Sequence, residues 1–378
     1  MAEWAPTSVL LAVEQLRRRV AGGIGAYASG LLGGLAVCAA EGDGVELTLL
    51  ASRAPGPDDP LAAFGLPVRS SLLPGPLLTR AWDHGVRHAP EGFDVVHSVS
   101  MAAPPLRRTS RSRLVVTVHD VAWRRHPDAT TPRGRRWHEA ALLRAHEHGA
   151  DIVVPSRLVA ADVVASGIDA TRISIVPGGA DHLPDPDPAA TDALLARVGV
   201  SGEYLLTVGT LEPRKNVDRL VQAFRQVRPS LPGPWPLVIV GPAGWGPEPS
   251  MRHETDGIVF TGALPAPVLA ELYRRARAFA YVPLTEGYGL PPLEAMRVGT
   301  PTLVANEVPS VHDLGEAGPA AALVVDPLDV GDIAAGLAMV LADDAVRADL
   351  AVRGAAYART RTWHAAARAQ IDVWRAPR

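Results

Sequence analysis

Apolar and polar positions come in alternating blocks along this chain of 378 residues. Short apolar runs rich in valine, leucine and isoleucine fall at residues 8–13, 45–50, 95–98, 114–119, 152–155 and 173–176. Runs of this length read as strands buried on both faces. Helical stretches at 25–39 and 133–148 separate several of them. Residues 181–188 (DHLPDPDP) then break the pattern. Alternating proline cannot continue a helix or a central strand, so an extended linker is expected there. A second series of strands follows at 204–209, 237–241, 258–261, 278–283, 302–305 and 322–325. Its helices read at 217–228, 267–277 and 292–298, and 330–374 reads as three more. Strand–helix alternation implies parallel sheets covered by helices on both faces. The expected fold class is therefore α/β, with two Rossmann-like doubly wound domains facing a central cleft. Their bounds are set at 1–183 and 201–361, with a linker at 184–200.

Composition narrows the picture. At 47% hydrophobic and 20% charged, the chain has ample core material. Glycine and proline, 35 each, mean many loops without low complexity. A net charge of -3 excludes a polycation built for nucleic acid. Cys38 is alone, which excludes an internal disulfide or a cysteine-based zinc site and suits a reducing cytoplasm. The first residues, with Glu3 and Pro6, lack a signal-peptide pattern. The longest nearly apolar run, 30–40, is short of the ~20 residues that span a bilayer. A cytoplasmic protein is expected. Among 37 basic residues only Lys215 is lysine; the other 36 are arginine. The two are not interchangeable where a compact point charge must fit a tight site.

Ligands in doubly wound folds bind beyond the carboxyl ends of the strands, and four post-strand segments carry chemistry there. Gly22-Gly23-Ile24-Gly25 opens a helix and could let a phosphate approach backbone N–H groups. Gly23, Gly25 and Ala28 match a loose dinucleotide fingerprint, but residues 14–21 separate the strand from it and Glu46 lies inside a strand. His119-Asp120 ends the strand LVVTVHD, where an imidazole can bond a sugar hydroxyl. Leu211-Glu212-Pro213-Arg214-Lys215-Asn216 places two cations before a helix, suited to a diphosphate. In Glu286-Gly287-Tyr288-Gly289-Leu290-Pro291-Pro292-Leu293-Glu294, the amides of Gly287, Tyr288, Gly289 and Leu290 could face an anion. Glu286 and Glu294 bracket that turn, and carboxylates bind polyhydroxyl ligands well.

The segments VHD, VGTLEPRKN, LVIVGPAGWG, IVFTGAL and EGYGLPPLEAMRVGTP together resemble the retaining family 4 glycosyltransferases of the GT-B fold. The resemblance runs from GGIGAYASGLL to the C-terminal helices. It implies a nucleotide-diphosphate sugar held mainly by the C-terminal domain and an acceptor held mainly by the N-terminal one. Carried over by position, Glu286 is expected at the donor sugar hydroxyls and Glu294 on the ribose. Arg214 and Lys215 would hold the diphosphate, Gly23 and Gly25 would approach it from the other domain, and His119 would touch the sugar. His119, Arg214, Lys215 and Glu286 form the expected catalytic set. Thr210, Leu264, Gly287, Tyr288, Gly289 and Leu290 complete the expected donor contacts. Thr210 stands where many members carry arginine, so Arg214 must supply the second cation or it is missing. The last helix, 362–378, would pack back on the N-terminal domain.

The resemblance implies front-face attack with retention, the departing phosphate taking the acceptor's proton; no metal is needed if two cations do its job, and no cofactor beyond the donor is expected. Asp185-Pro186-Asp187, the one DxD, reads as spacer within the proline-rich linker. The donor reading leans to GDP-mannose, with a glycan, glycolipid or small molecule as acceptor. Residues 107–136 hold nine arginines (107, 108, 111, 113, 124, 125, 133, 135 and 136) against Asp120 and Asp128. That stretch reads either as a basic rim for an anionic lipid-linked acceptor or the inner membrane surface, or as a solvated face balancing acidic charge elsewhere. Two other classes stay open: a sugar-nucleotide epimerase or phosphorylase of this fold, and a non-catalytic nucleotide-sugar sensor. A phosphorylase would hold pyridoxal phosphate on its lysine.

Overall fold

The computed structural model describes residues 6–18, 22–127, 130–244, 257–312 and 319–377. The chain divides into two units, Met1–Gly179 with Thr362–Arg378, and Ala180–Arg361.

The first unit is built on a parallel seven-stranded sheet. Its strands are β1 (Thr7–Ala12), β2 (Val45–Ala51), β3 (Val68–Ser70), β4 (Val95–Ser98), β5 (Arg113–Thr117), β6 (Asp151–Val154) and β7 (Ile173–Ile175), in the order β3-β2-β1-β4-β5-β6-β7. The central strands are fully covered, which is why they read as continuous apolar runs. Helix Gly22–Ala40 crosses the final helix, Trp363–Arg375. Gly30 and Gly34 lie one turn apart on the crossing face, and a side chain at either would overlap Trp363. The helix starts well before the apolar run at 30–40. At 19 residues with mean hydropathy 1.5 it is long and apolar enough to cross a membrane by length and composition alone, yet half of it is buried inside the protein. Short β3 and helices Gly75–Asp83 and Arg157–Ala165 were not legible in the pattern. The first is only nine residues long and opens on Gly-Pro, which reads as a turn although Leu78 and Trp82 share its buried face; the second is rich in valine and alanine and shows little helical stripe.

The second unit has a parallel six-stranded sheet. Its strands are β8 (Leu205–Val208), β9 (Leu237–Val240), β10 (Ile258–Gly262), β11 (Ala278–Tyr281), β12 (Thr302–Ala305) and β13 (Leu323–Val325), in the order β10-β9-β8-β11-β12-β13. Helix Val217–Val227 buries Leu220, Val221, Ala223, Phe224 and Val227 on this sheet beside helix Val330–Ala342. The stretch 184–200 differs from the linker expected there. Residues 181–187 have no regular secondary structure, but Pro188–Arg197 is a helix packed on helix Ala266–Arg275. Proline is tolerated at a first helical position, where its missing N–H has no partner to lose. Asp187 caps the helix, its carboxylate accepting from the Ala190 N–H at 2.9 Å. Pro188 and the Asp187 carboxylate of the DxD thus belong to a helix start.

Candidate active site

Strand order in the second sheet reverses between β8 and β11, the switch point beyond whose carboxyl ends ligands of doubly wound folds bind. The segment after β8 turns through a short 3-10 helix, Pro213–Lys215. Asn216 ends it at φ 57°, the one left-handed non-glycine residue among the described residues. Its buried amide donates to the carbonyls of Val282 at 2.9 Å and Pro327 at 2.7 Å, and Leu284 N–H donates to the Arg214 carbonyl at 2.9 Å. The cation loop is therefore clamped to the exit of β11.

That clamp brings Arg214, Lys215 and Glu286 together with Glu212, which lies in the same motif without an assigned role, and with Tyr281, which lies in none. Glu286 Oε1 receives three donors: the Lys215 ammonium, Arg214 Nη1 at 3.0 Å and the Tyr281 hydroxyl at 2.9 Å. Lys215 Nζ also donates to the Tyr281 oxygen at 2.8 Å. Arg214 is engaged on both arms, Nη1 also meeting the Thr285 carbonyl at 3.1 Å and Nη2 meeting Glu212 at 2.6 Å. Two cations face two carboxylates here. The guanidinium acts as a brace between the loops, while the ammonium stands at their junction.

Burial alone would raise the Glu286 carboxyl, but the charges of Arg214 and Lys215 and the bonds from Lys215 and Tyr281 outweigh it and hold it at about 2. Burial pulls the Lys215 ammonium below its ordinary value, and Glu286 opposes that pull. Burial and the Glu286 charge push the Tyr281 phenol far up, so it stays protonated and can donate.

The turn Gly287–Leu290 follows directly. Gly289 has φ 92°, and a side chain there would run into Val308, so only glycine fits. Ser310 fixes the turn, its hydroxyl donating to the Gly289 carbonyl at 2.6 Å and its N–H to the Tyr288 carbonyl at 2.8 Å. Helix Leu290–Arg297 starts on Leu-Pro-Pro, and the two prolines remove two of the usual first-turn donors. Anion-facing N–H groups must therefore come from the turn itself. Glu294 is buried one turn on. Its Oε2 accepts from the Tyr273 hydroxyl at 2.7 Å, and its Oε1 lies 3.1 Å from His182 Nε2. Neither Tyr273 nor His182 belongs to a recognisable motif.

Thr210 opens the same post-β8 loop, part-exposed, with its carbonyl accepting from Glu212 N–H at 2.9 Å. Leu264 lies two residues past the edge strand β10. Trp245 and Gly246, which end LVIVGPAGWG, lie outside the described residues. Gly23, Gly25 and His119 belong to the first unit. Gly23 is exposed in the first turn of helix Gly22–Ala40 with open space around its Cα, and Gly25 is buried. His119 lies two residues past β5. Its Nε2 donates to the Val99 carbonyl at 2.7 Å, so the proton sits there and Nδ1 carries the lone pair. Tyr27 meets the ring edge-on at 4.8 Å, and burial lowers the imidazole below its ordinary value. His119 is a neutral acceptor.

The nine arginines of 107–136 do not act as one surface. Arg113 pairs with Asp151 and reaches the carbonyls of Val373, Trp374 and Ala376, fastening the last helix. Arg124 pairs with Glu139 and Arg125 with Asp162. Arg108, Arg111, Arg133 and Arg136 remain exposed, with Arg107 only 3.5 Å from an exposed Glu91 and Arg135 part-buried. Asp128 lies outside the described residues.

Two parallel sheets, each with its switch point beside its first strand, define the GT-B architecture. The Anabaena protein HepE, solved in complex with UDP and glucose, shares it at a TM-score of 0.66 and 17% identity, over 97% of this chain and 98% of that one. The family models "Glycosyltransferase Family 4" and "Glycosyl transferases group 1" match residues 21–182 and 199–359. A D-inositol 3-phosphate glycosyltransferase of Xylanimonas cellulosilytica is 31% identical over 80% of this chain and 77% of its own. O-antigen chain mannosyltransferase B of Escherichia coli is 29% identical over 70% of each. The chain belongs to the family 4 glycosyltransferases of the GT-B fold, enzymes that move a sugar from a nucleotide-sugar donor.

Proposed function

We propose that the chain is a retaining hexosyltransferase that moves mannose from GDP-mannose to a hydroxyl of a glycan, glycolipid or small-molecule acceptor, without a metal. The observation that carries the reading is the saturation of Glu286 Oε1 by three donors at the β8–β11 switch point, beside the sole lysine. Oε2 takes no donor among the described residues and is left for the sugar hydroxyls. As the anomeric C–O bond breaks, negative charge grows on the leaving diphosphate. The Lys215 ammonium and the N–H groups of the Gly287–Leu290 turn stabilise that charge as it develops, so they act chiefly on the transition state. The acceptor oxygen bonds the anomeric carbon on the face the phosphate leaves, and its proton passes to the departing phosphate oxygen. His119 would accept a bond from a sugar hydroxyl through Nδ1, and Glu294 from the ribose in exchange for His182. The mannosyl choice rests on the Escherichia coli relative.

A thermal-shift screen of GDP-, UDP-, ADP- and dTDP-sugars, followed by assay of nucleotide release, tests the reading, since ligands of the folded state raise its stability. GDP-mannose should stabilise the protein and be consumed with release of GDP and formation of an α-mannoside. Stabilisation by UDP-glucose alone would move the donor, an inverted product would refute retention, and binding without turnover would refute catalysis. The exposed arginines 107, 108, 111, 133 and 136 are proposed to meet an anionic acceptor or membrane, tested by sedimentation with anionic and neutral vesicles at low and high salt.

A further inference from the structure

We propose that Tyr281 is a positioning residue for the transfer, its hydroxyl deciding which proton of Lys215 and which oxygen of Glu286 are left for the donor. The inference rests on the catalytic reading above. Tyr281 is the last residue of β11 and is nearly fully buried, its ring 6.1 Å from and nearly parallel to that of Phe279. On its other side the ring edge borders the phosphate turn, 3.8 Å from where a side chain on Gly289 would begin. Strand and packing thus fix the hydroxyl before any ligand arrives.

A closed loop of bonds follows. The hydroxyl accepts from Lys215 at 2.8 Å and donates to Glu286 Oε1 at 2.9 Å, while Lys215 donates directly to the same oxygen. An ammonium has three donors. Two are spent inside this loop, and tetrahedral geometry then sets the direction of the third. With the hydroxyl gone, the ammonium could swivel about its single bond to Glu286, and Oε1 would be left with two donors. The ring itself lies 5.2 Å from Nζ, a contact that phenylalanine would keep. The hydroxyl can therefore be removed with little loss of packing or of attraction for the cation.

The experiment is Tyr281→Phe in the full chain, with Lys215→Ala as reference. Steady-state turnover of GDP-mannose is measured together with thermal shifts by GDP and by GMP. The expected result is a melting temperature near that of the parent and KM nearly unchanged. kcat should fall roughly 10- to 100-fold, as for loss of one bond to a charged group. GDP should lose part of its advantage over GMP, because the β-phosphate is what the third N–H reaches. If Tyr281→Phe keeps kcat within about twofold of the parent while Lys215→Ala is inactive, the role of Tyr281 is overturned and the site stands. A raised KM and a lowered melting temperature with unchanged kcat would make Tyr281 merely structural and overturn the inference as well. Should Lys215→Ala turn over normally, the catalytic reading fails and takes this one with it.

Discussion

Lys215 and Glu286 are joined ammonium to carboxylate, although 71 residues separate them in the chain. One comes from the loop after β8, the other from the loop after β11, and the strand order makes those loops neighbours. Side-chain exposures of 13% and 10% place the pair where water screens it weakly. Within the site the charges therefore balance, and a diphosphate must compete with the charge of Glu286 for the same cation.

Removing that competitor has an uncommon consequence. Glu286→Gln should bind GDP at least as tightly as the parent, since the amide oxygen can still accept from Lys215 but no longer opposes its charge, while kcat falls by about 10² because the sugar loses its anionic partner. Titration calorimetry with GDP beside steady-state kinetics checks the split. Weaker GDP binding would show that the negative charge of Glu286 does not compete with the diphosphate.

The pH profile should be asymmetric. The Glu286 carboxyl is held at about 2, so its contribution to the fold is present above the ordinary carboxylate range and is lost only as pH falls toward that value. Loss of activity at pH 5 cannot come from it. Lys215 is lowered by burial, so the ammonium deprotonates at lower pH than an ordinary lysine and turnover should fall on the alkaline side first. A kcat profile from pH 5 to 10.5 tests this.

Acid should weaken the first unit through His97. This ring is wholly buried on β4, bonded to Thr117 Oγ1 at 2.9 Å, and burial with His119 nearby pushes it down to about 3. A folded-state value below the unfolded one means stability present above pH 6.5 and lost as pH falls toward 3. The slope is at most about 1.4 kcal/mol per pH unit from this one group. Urea unfolding at pH 7.5 and pH 5, on the parent and on His97→Gln, should show a smaller pH effect in the variant.

Gly34 and Trp363 give a stability test remote from the donor loops. A methyl group at Gly34 would overlap the Trp363 backbone, which has no rotamer with which to escape. Gly34→Ala should cost about 1–3 kcal/mol of stability, as overpacking does, with a lowered melting temperature. GDP affinity measured well below that temperature should be unchanged, because the cation loop belongs to the other unit.

Much of this was legible because both sheets are parallel and buried on both faces, so strands such as Leu237–Val240 stand out as unbroken apolar runs. The cation loop was legible for another reason: a chain otherwise built with arginine places its sole lysine directly after a strand. Tyr281 was not, because a tyrosine in the run AFAY reads as one more core residue, and only the register of β11 puts its hydroxyl at the strand end. Arg214 is legible as a second diphosphate cation from its place beside Lys215, but the partners that hold its guanidinium, Glu212, Glu286 and the Thr285 carbonyl, are not. The helix Pro188–Arg197 hid among prolines, since a first-turn proline and a linker proline look alike without the Asp187 cap.

The most direct measurement is single-turnover transfer from GDP-mannose by Lys215→Ala, with folding checked by thermal melting. The account expects at least a 100-fold slower chemical step in a folded protein, with Lys215→Arg failing to restore it because a planar fork cannot replace a compact ammonium. A rate within about tenfold of the parent, no more than about 1.4 kcal/mol of barrier, would contradict it.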